Sequence, residues 1–124
     1  NIWAAHDIGK TLNPVSAEGQ VEGGVVQGIG YATTEAYLWE DGKVMNTNLT
    51  DYKIAIAPDV PNIHTIFIET NDPETLYGAK GLGEPVMNPT APAIVNAVYN
   101  AIGVRITDLP ITPEYILSAL KKKK

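Results

Sequence analysis

A helical repeat interrupted by five glycines runs between Ser16 and Leu38, and that conflict limits what the chain can become. Val21, Val25, Ile29, Ala32 and Ala36 recur at three- and four-residue intervals. At about 100° per residue they form one apolar stripe of an α-helix. Ser16 is the expected N-cap, Glu18 falls in the first turn, and the helix is expected to run to about Leu38. Gly19, Gly23, Gly24, Gly28 and Gly30 all lie inside it. Each costs about 0.8–1 kcal/mol relative to alanine, so together they cost on the order of 4–5 kcal/mol. Such a helix must rest on a large contact. In this reading Gln20, Gly23, Gly24, Gln27, Tyr31 and Thr34 form the face opposite the stripe. Either another backbone packs tightly there or a cofactor approaches closely, and the glycines alone do not choose between them. The two glutamines, seven residues apart, point the same way, and a buried amide needs partners.

A second glycine cluster lies past the middle of the chain. Gly78-Ala79-Lys80-Gly81-Leu82-Gly83 runs into Glu84-Pro85. Glycines let a backbone take crowded or left-handed conformations and approach a ligand. Pro85 is expected to hold Glu84 in an extended conformation, with its carboxylate aimed outward. The loop is not a dinucleotide fingerprint, because Val86 stands where the third glycine belongs. It is not a Walker A loop either, because Lys80 precedes the glycine pair. No G-x-S-x-G elbow occurs, and Glu84 has no sequence-near carboxylate partner. On residue chemistry alone, a site and a plain turn are equally good readings.

The 124 residues suffice for one domain, 1–124, with a modest core. A net charge of −5 argues against nucleic acid as the main partner. Lys121 to Lys124 read as a solvated helix end favoured by the helix dipole. With no cysteine, the chain itself offers no disulfide, thiolate zinc site, iron–sulfur ligation or thiol nucleophile. His6 and His64 lack metal-ligand spacing and read as structural, so no metal ligand is assigned. No apolar run of about 18 residues is present to span a membrane. Asn1-Ile2-Trp3-Ala4-Ala5 reads like the middle of a strand, not a signal peptide. We therefore expect a chain cut from something longer, without its N-terminal partner strand.

Along the chain, Ile2 to Asp7 is an expected strand, followed by turns at Gly9 and Asn13-Pro14. Asp41-Gly42 marks a turn. Val44 to Asn48 and Thr50 to Ile56 read as extended, and Ile63 to Glu69 is the clearest strand. A helix over Ala91 to Ile102 is expected, capped by Thr90 and closed by Gly103. Ile94, Val95, Val98, Ala101 and Ile102 would form its buried face. Another helix starts at Thr112-Pro113-Glu114, with Thr112 as N-cap, Pro113 first, and Ile111 stapled against Ile116. The order lacks a regular βαβ alternation and predicts an α+β fold.

Gly78 to Pro85, followed by Pro89-Thr90-Ala91-Pro92-Ala93-Ile94-Val95-Asn96-Ala97, closely resembles the C-terminal part of a known subunit. That subunit is the molybdenum-binding subunit of the xanthine dehydrogenase and aldehyde oxidase family, the molybdenum hydroxylases. Asp7-Ile8-Gly9, Asn13-Pro14, Gly19-Gln20-Val21-Glu22-Gly23, Gln27-Gly28-Ile29-Gly30, Asp51-Tyr52-Lys53-Ile54, Gly103-Val104-Arg105, Leu109-Pro110 and Thr112-Pro113-Glu114 extend the likeness in colinear order.

The resemblance implies that Glu84 is the catalytic base. It implies that Lys80, Gly81, Leu82 and Gly83 lie against a molybdenum–pyranopterin cofactor (molybdopterin, with a dinucleotide form left open). Gln20 would reach the same cofactor, with Gln27 in support. The implied reaction hydroxylates an N-heterocycle or aldehyde with water-derived oxygen. A dry pocket raising the pKa of Glu84 would favour it. The 2Fe-2S clusters and FAD would sit on other domains or subunits. The partners implied are those modules, the remainder of the molybdenum-binding subunit and a small-molecule substrate. A cytoplasmic location is expected, and this chain alone is expected to be inactive. Glu84-Pro85 favours the xanthine dehydrogenase branch over carbon monoxide dehydrogenases, which tend to follow the glutamate with serine. The rival reading is a non-catalytic assembly or interaction domain that keeps the fold.

Overall fold

The computed structural model describes residues 1–122. Lys123 and Lys124, part of the lysine run, lie outside the described residues. Strand β1 (Ile2–Asp7) leads into the glycine-studded helix α1 (Pro14–Thr33). A short hairpin, β2 (Trp39–Glu40) and β3 (Lys43–Val44), precedes β4 (Ile63–Ile68), and helices α2 (Thr90–Ile102) and α3 (Pro113–Lys122) follow. The mixture is α+β, as expected.

One feature of topology was not anticipated. β1 pairs in parallel with β4, in register from Ile2 opposite Ile63 to Asp7 opposite Ile68. Parallel neighbours need a crossover, and α1 lies within it. One partner strand of β1 is therefore within the chain, and its other edge is unpaired among the described residues. Along both strands alternate residues turn inward: Ile2, Ala4 and His6 from one, Ile63, Thr65 and Phe67 from the other. Ala4, Val21, Val25 and Val86 form the core, with Ile2, Ile29, Ile63, Phe67 and Leu82 packed on it. On the outer side Trp3 stacks on His64, with ring centroids 5.2 Å apart, which gives His64 the structural role expected of it.

Helix α1 starts two residues before Ser16. Asn13 is the N-cap, its side-chain oxygen accepting from the Ser16 amide at 3.0 Å, and Pro14 takes the first turn. Proline fits there because its missing N–H is one of the orphans anyway. Glu18 consequently falls beyond the first turn. The helix stops at Thr33, not Leu38, where the Thr34 and Glu35 amides both donate to the Gly30 carbonyl. Past that end, the buried Asn46 side chain accepts from the Leu38 amide and donates to the Ala36 carbonyl. It fastens the hairpin to the segment after α1.

The Asp41-Gly42 turn is present, with both residues at positive φ. The two segments expected to be extended after it, Val44 to Asn48 and Thr50 to Ile56, are mostly not strands. Only Lys43–Val44 pairs, and Asn48 folds its own neighbourhood into a turn by accepting from the Thr50 amide at 2.8 Å. Such a side chain offers the backbone an alternative to a ladder.

In α2 the cap differs from expectation. Thr90 is the first helical residue, and its buried hydroxyl donates to the Val86 carbonyl at 3.2 Å. Gly103 closes the helix at φ 66°, as expected. Burial is deepest at Thr90 and Ala91. Ile94, Val95, Val98 and Ile102 are half-buried, and Ala101 is exposed. The start of α3 matches expectation, with Pro113 first and the Thr112 hydroxyl accepting from the Tyr115 amide. Ile111 is buried, and its amide donates to the Ala32 carbonyl at the end of α1. Lys121 and Lys122 are exposed in the last turn of α3.

Candidate functional site

The glycine loop is fastened at both ends and open in the middle. Its start is held by the end of β1. The Lys80 amide donates to the Ile8 carbonyl at 2.9 Å, and the Lys80 ammonium lies 2.6 Å from Asp7 Oδ2. Asp7 also accepts from the Gly9 amide at 3.0 Å and from the Thr70 hydroxyl at 2.9 Å. These donors, the Lys80 ammonium foremost, then the Gly9 N–H and the Thr70 hydroxyl, pull the Asp7 carboxyl down to about 2. Asp7 in turn raises the Lys80 ammonium above its ordinary range. Gly9 has no room for a side chain. It sits at φ 68°, and a Cβ there would run into the Gly78 carbonyl and stand 3.0 Å from the Lys80 nitrogen. Gly78 itself turns at φ 75°.

The far end is held by α1. Val86 is fully buried, and a Cβ on Gly24 would stand 2.8 Å from the Val86 Cβ. One turn later a Cβ on Gly28 would stand 2.6 Å from the Thr90 Cβ. These two helix glycines exist so that the segment carrying Glu84 can lie flat on α1. Close packing within the chain accounts for them. Gly24 accordingly belongs with the buried stripe, because three residues on from Val21 is only 60° around a helix. Gly19 and Gly23 meet nothing within 4 Å.

Between the two anchors, Gly81 meets nothing within 4 Å of its would-be Cβ. Gly83 meets only the Gln20 Nε2, at 4.0 Å. Gln20 and Gly83 share a cleft of about 350 Å³ with Lys80 and Leu82, closed on the other side by Lys10 to Asn13. That outer wall is tied down by Thr11, whose amide donates to Glu69 at 2.8 Å. The Thr11 hydroxyl and amide hold Glu69 below its ordinary carboxylate range. Leu82 both lines the cleft and packs on the core. Gly81 is exposed and outside the cleft lining.

Glu84 opens a short 3-10 turn, Glu84–Val86, instead of an extended segment. Its carbonyl accepts from the Met87 amide at 3.1 Å, starting a run of turns into α2. Proline at the second position of the turn is compatible with that geometry. The side chain is exposed, as expected of an aimed group, but these residues alone supply no dry pocket around it. Among the described residues, neither the Glu84 carboxylate nor the Gln20 amide has a hydrogen-bond partner in the chain. Gln27 is exposed as well. No group of three or more His, Asp or Glu side chains among the described residues is placed to hold a metal ion. No described helix is long and apolar enough to cross a membrane.

The structure brings the candidates Gln20 and Gly83 together beside Glu84 in the chain, and it adds Asp7 and Thr70, which the sequence did not single out as candidates, to the fastening of the loop. Asp7-Ile8-Gly9 stood out only as a motif. Its partner Lys80 lies 73 residues away, and no periodicity connects them.

A family model described as a molybdopterin cofactor-binding domain matches residues 1–61. The putative xanthine dehydrogenase molybdenum-binding subunit of Escherichia coli K12 is 50% identical over 115 residues, covering 91% of this chain and 15% of that protein. The gamma subunit of the 6-hydroxypseudooxynicotine dehydrogenase complex of Paenarthrobacter nicotinovorans is 40% identical over 116 residues, again covering 15% of its length. Among solved structures, quinoline 2-oxidoreductase from Pseudomonas putida 86 superimposes with a TM-score of 0.90 at 37% identity. That match covers 97% of this chain and 16% of the other.

Proposed function

This chain belongs to the molybdenum hydroxylase family of xanthine dehydrogenases and aldehyde oxidases, as a segment like their molybdenum-binding subunit, and from that premise we propose that it supplies one wall of a hydroxylase active site. The reaction proposed is oxidation of an N-heterocycle or aldehyde with oxygen derived from water. The observation that carries the reading is the meeting of Gln20 with Gly83, directly before the unpartnered and exposed Glu84.

The residues present fit a molybdenum–pyranopterin group along one side. Gly81 and Gly83 leave open space where side chains would stand, and the Gln20 amide is free to donate or accept beside them. Gln20, Lys80, Gly81, Leu82 and Gly83 would hold that side of the group, with Lys80 and Leu82 anchored from behind. When bound, the group supplies a two-electron redox centre. Glu84 contributes the base. Its carboxylate takes up the proton of the attacking water-derived oxygen, a role worth typically 10²–10⁴-fold. The remainder of the molybdenum-binding subunit would close over Glu84 and exclude water. A desolvated carboxylate binds a proton more readily. The 2Fe-2S and FAD modules, on other domains or subunits, would carry electrons away, and the cytoplasm is the proposed location.

The test is the assembled protein with its partner chains, assayed in water labelled with heavy oxygen. The expected result is molybdenum in the preparation and labelled oxygen in the oxidised N-heterocycle or aldehyde. An assembly that forms normally, contains molybdenum and oxidises neither substrate class would point instead to a non-catalytic assembly domain.

A further inference from the structure

We propose that Asp7 is a positioning residue for Glu84, acting through Lys80. The inference rests on the reading of Glu84 as the base and adds to it a residue at the end of the first strand. The loop from Gly78 to Val86 is anchored at both ends, with the Leu82 side chain packed on the core between them. Val86 is buried beneath α1 and fixes the far side. On the near side, Lys80 is held twice, by its amide on the Ile8 carbonyl and by its ammonium on Asp7. Between them stand Gly81, Leu82 and Gly83, two of them glycines with no side chain to brace the backbone. With Leu82 and Val86 fixed by the core, the direction in which the loop leaves Lys80 sets how Gly83 and Glu84 are turned between those contacts.

Asp7 is built as an anchor, because its carboxylate is itself fixed by the Gly9 amide and by the Thr70 hydroxyl, at 2.9 Å and 3.1 Å from its two oxygens. An ion pair about one-third exposed on each side adds little to stability. As a positional constraint it matters more, since a misplacement of about 1 Å can cost 10²-fold in turnover. In this arrangement the Lys80 charge is already committed to Asp7, so its service to the cofactor side is to hold the loop.

The experiment compares four assembled enzymes: wild type, Asp7→Asn, Glu84→Gln and the double variant. Turnover, KM, molybdenum content and amide hydrogen exchange over residues 78–84 are read in each. At unchanged molybdenum content, Asp7→Asn is expected to lower kcat by on the order of 10-fold or more, with a smaller change in KM. In the Glu84→Gln background the same change should cost no more than about 2-fold, because residues acting as one unit are not additive. Exchange over residues 78–84 should quicken by roughly tenfold in Asp7→Asn.

An equal loss in both backgrounds, or no loss in wild type, would overturn the positioning role while leaving the base intact. Near-normal turnover in Glu84→Gln would instead defeat the base. Exchange then decides whether Asp7 orders the loop at all, and unchanged exchange rejects that too. If Asp7→Asn does not assemble, Lys80→Met takes its place with the same expectations.

Discussion

Gly24 and Gly28 lie under Val86 and Thr90, whereas Gly19 and Gly23 on the same helix face open space. The first pair lets another segment of this chain lie against the helix backbone. The second pair borders an open groove of about 700 Å³ with Glu22, Val26, Pro61 and His64, and nothing among the described residues fills it. The same residue type in one helix thus answers two different demands. At Gly24 and Gly28 the absent side chain is required by internal packing. At Gly19 and Gly23 it is a cost of about 0.8–1 kcal/mol each, with no contact among the described residues to offset it.

The comparison can be broken most forcefully at the packed pair. Gly28→Ala and Gly24→Ala would each drive a methyl into a buried neighbour. Overpacking of this kind typically costs about 1–3 kcal/mol, against a helix-propensity gain of about 0.8–1 kcal/mol. Each is expected to lower the midpoint of thermal unfolding, with Gly28→Ala the more damaging because its contact is closer and its neighbour is the buried start of α2. An unchanged or raised midpoint would mean that the two segments are not in contact.

A smaller effect, of opposite sign, is expected at the open pair. Gly23→Ala should stabilise this chain by about 0.8–1 kcal/mol. In the assembled enzyme the same substitution sharpens the comparison. Loss of molybdenum there would show that the cofactor or a partner backbone comes up against Gly23. Full retention would show a solvated face.

The smallest effect concerns pH. Asp7 lies below its ordinary value of 3.8, at about 2. A depressed carboxylate contributes above the unfolded value and loses that contribution as pH falls through the folded one. The ion pair with Lys80 should therefore stay intact across neutral and mildly acidic pH and open only as pH approaches about 2. Carboxyl titration followed by NMR checks this. A midpoint near 4 for Asp7 would show that the Lys80 contact does not persist in solution.

Much of the fold was legible where one residue type has one local meaning. The stripe of Val21, Val25 and Ala32 found the core, Asp41-Gly42 found the hairpin turn, and Gly103 and Pro113 found their helix ends. The errors have physical causes. Ser16 looked like the cap because serine suits that position, but Asn13 with Pro14 behind it is the better combination. Val44 to Asn48 and Thr50 to Ile56 have strand-like composition, and Asn48 turns the backbone instead. The pairing of β1 with β4 joins residues about sixty apart, and local alternation carries no information about which strand is the neighbour. Of the candidate site, Gln20, the glycine loop and Glu84 were visible as residues. The approach of Gln20 to Gly83 was not, because it depends on how α1 lies on the loop, nor was the fastening of the loop by Asp7, which depends on the crossover that brings the end of β1 beside residue 80.

The proposed function depends finally on one carboxylate, and Glu84→Gln in the assembled enzyme tests it most directly. The substitution keeps the shape of an exposed side chain that has no partner among the described residues, so assembly and molybdenum content should match wild type. Turnover should fall by ~10² or more, the scale of a positioned base. Near-normal turnover at full molybdenum content would contradict the account.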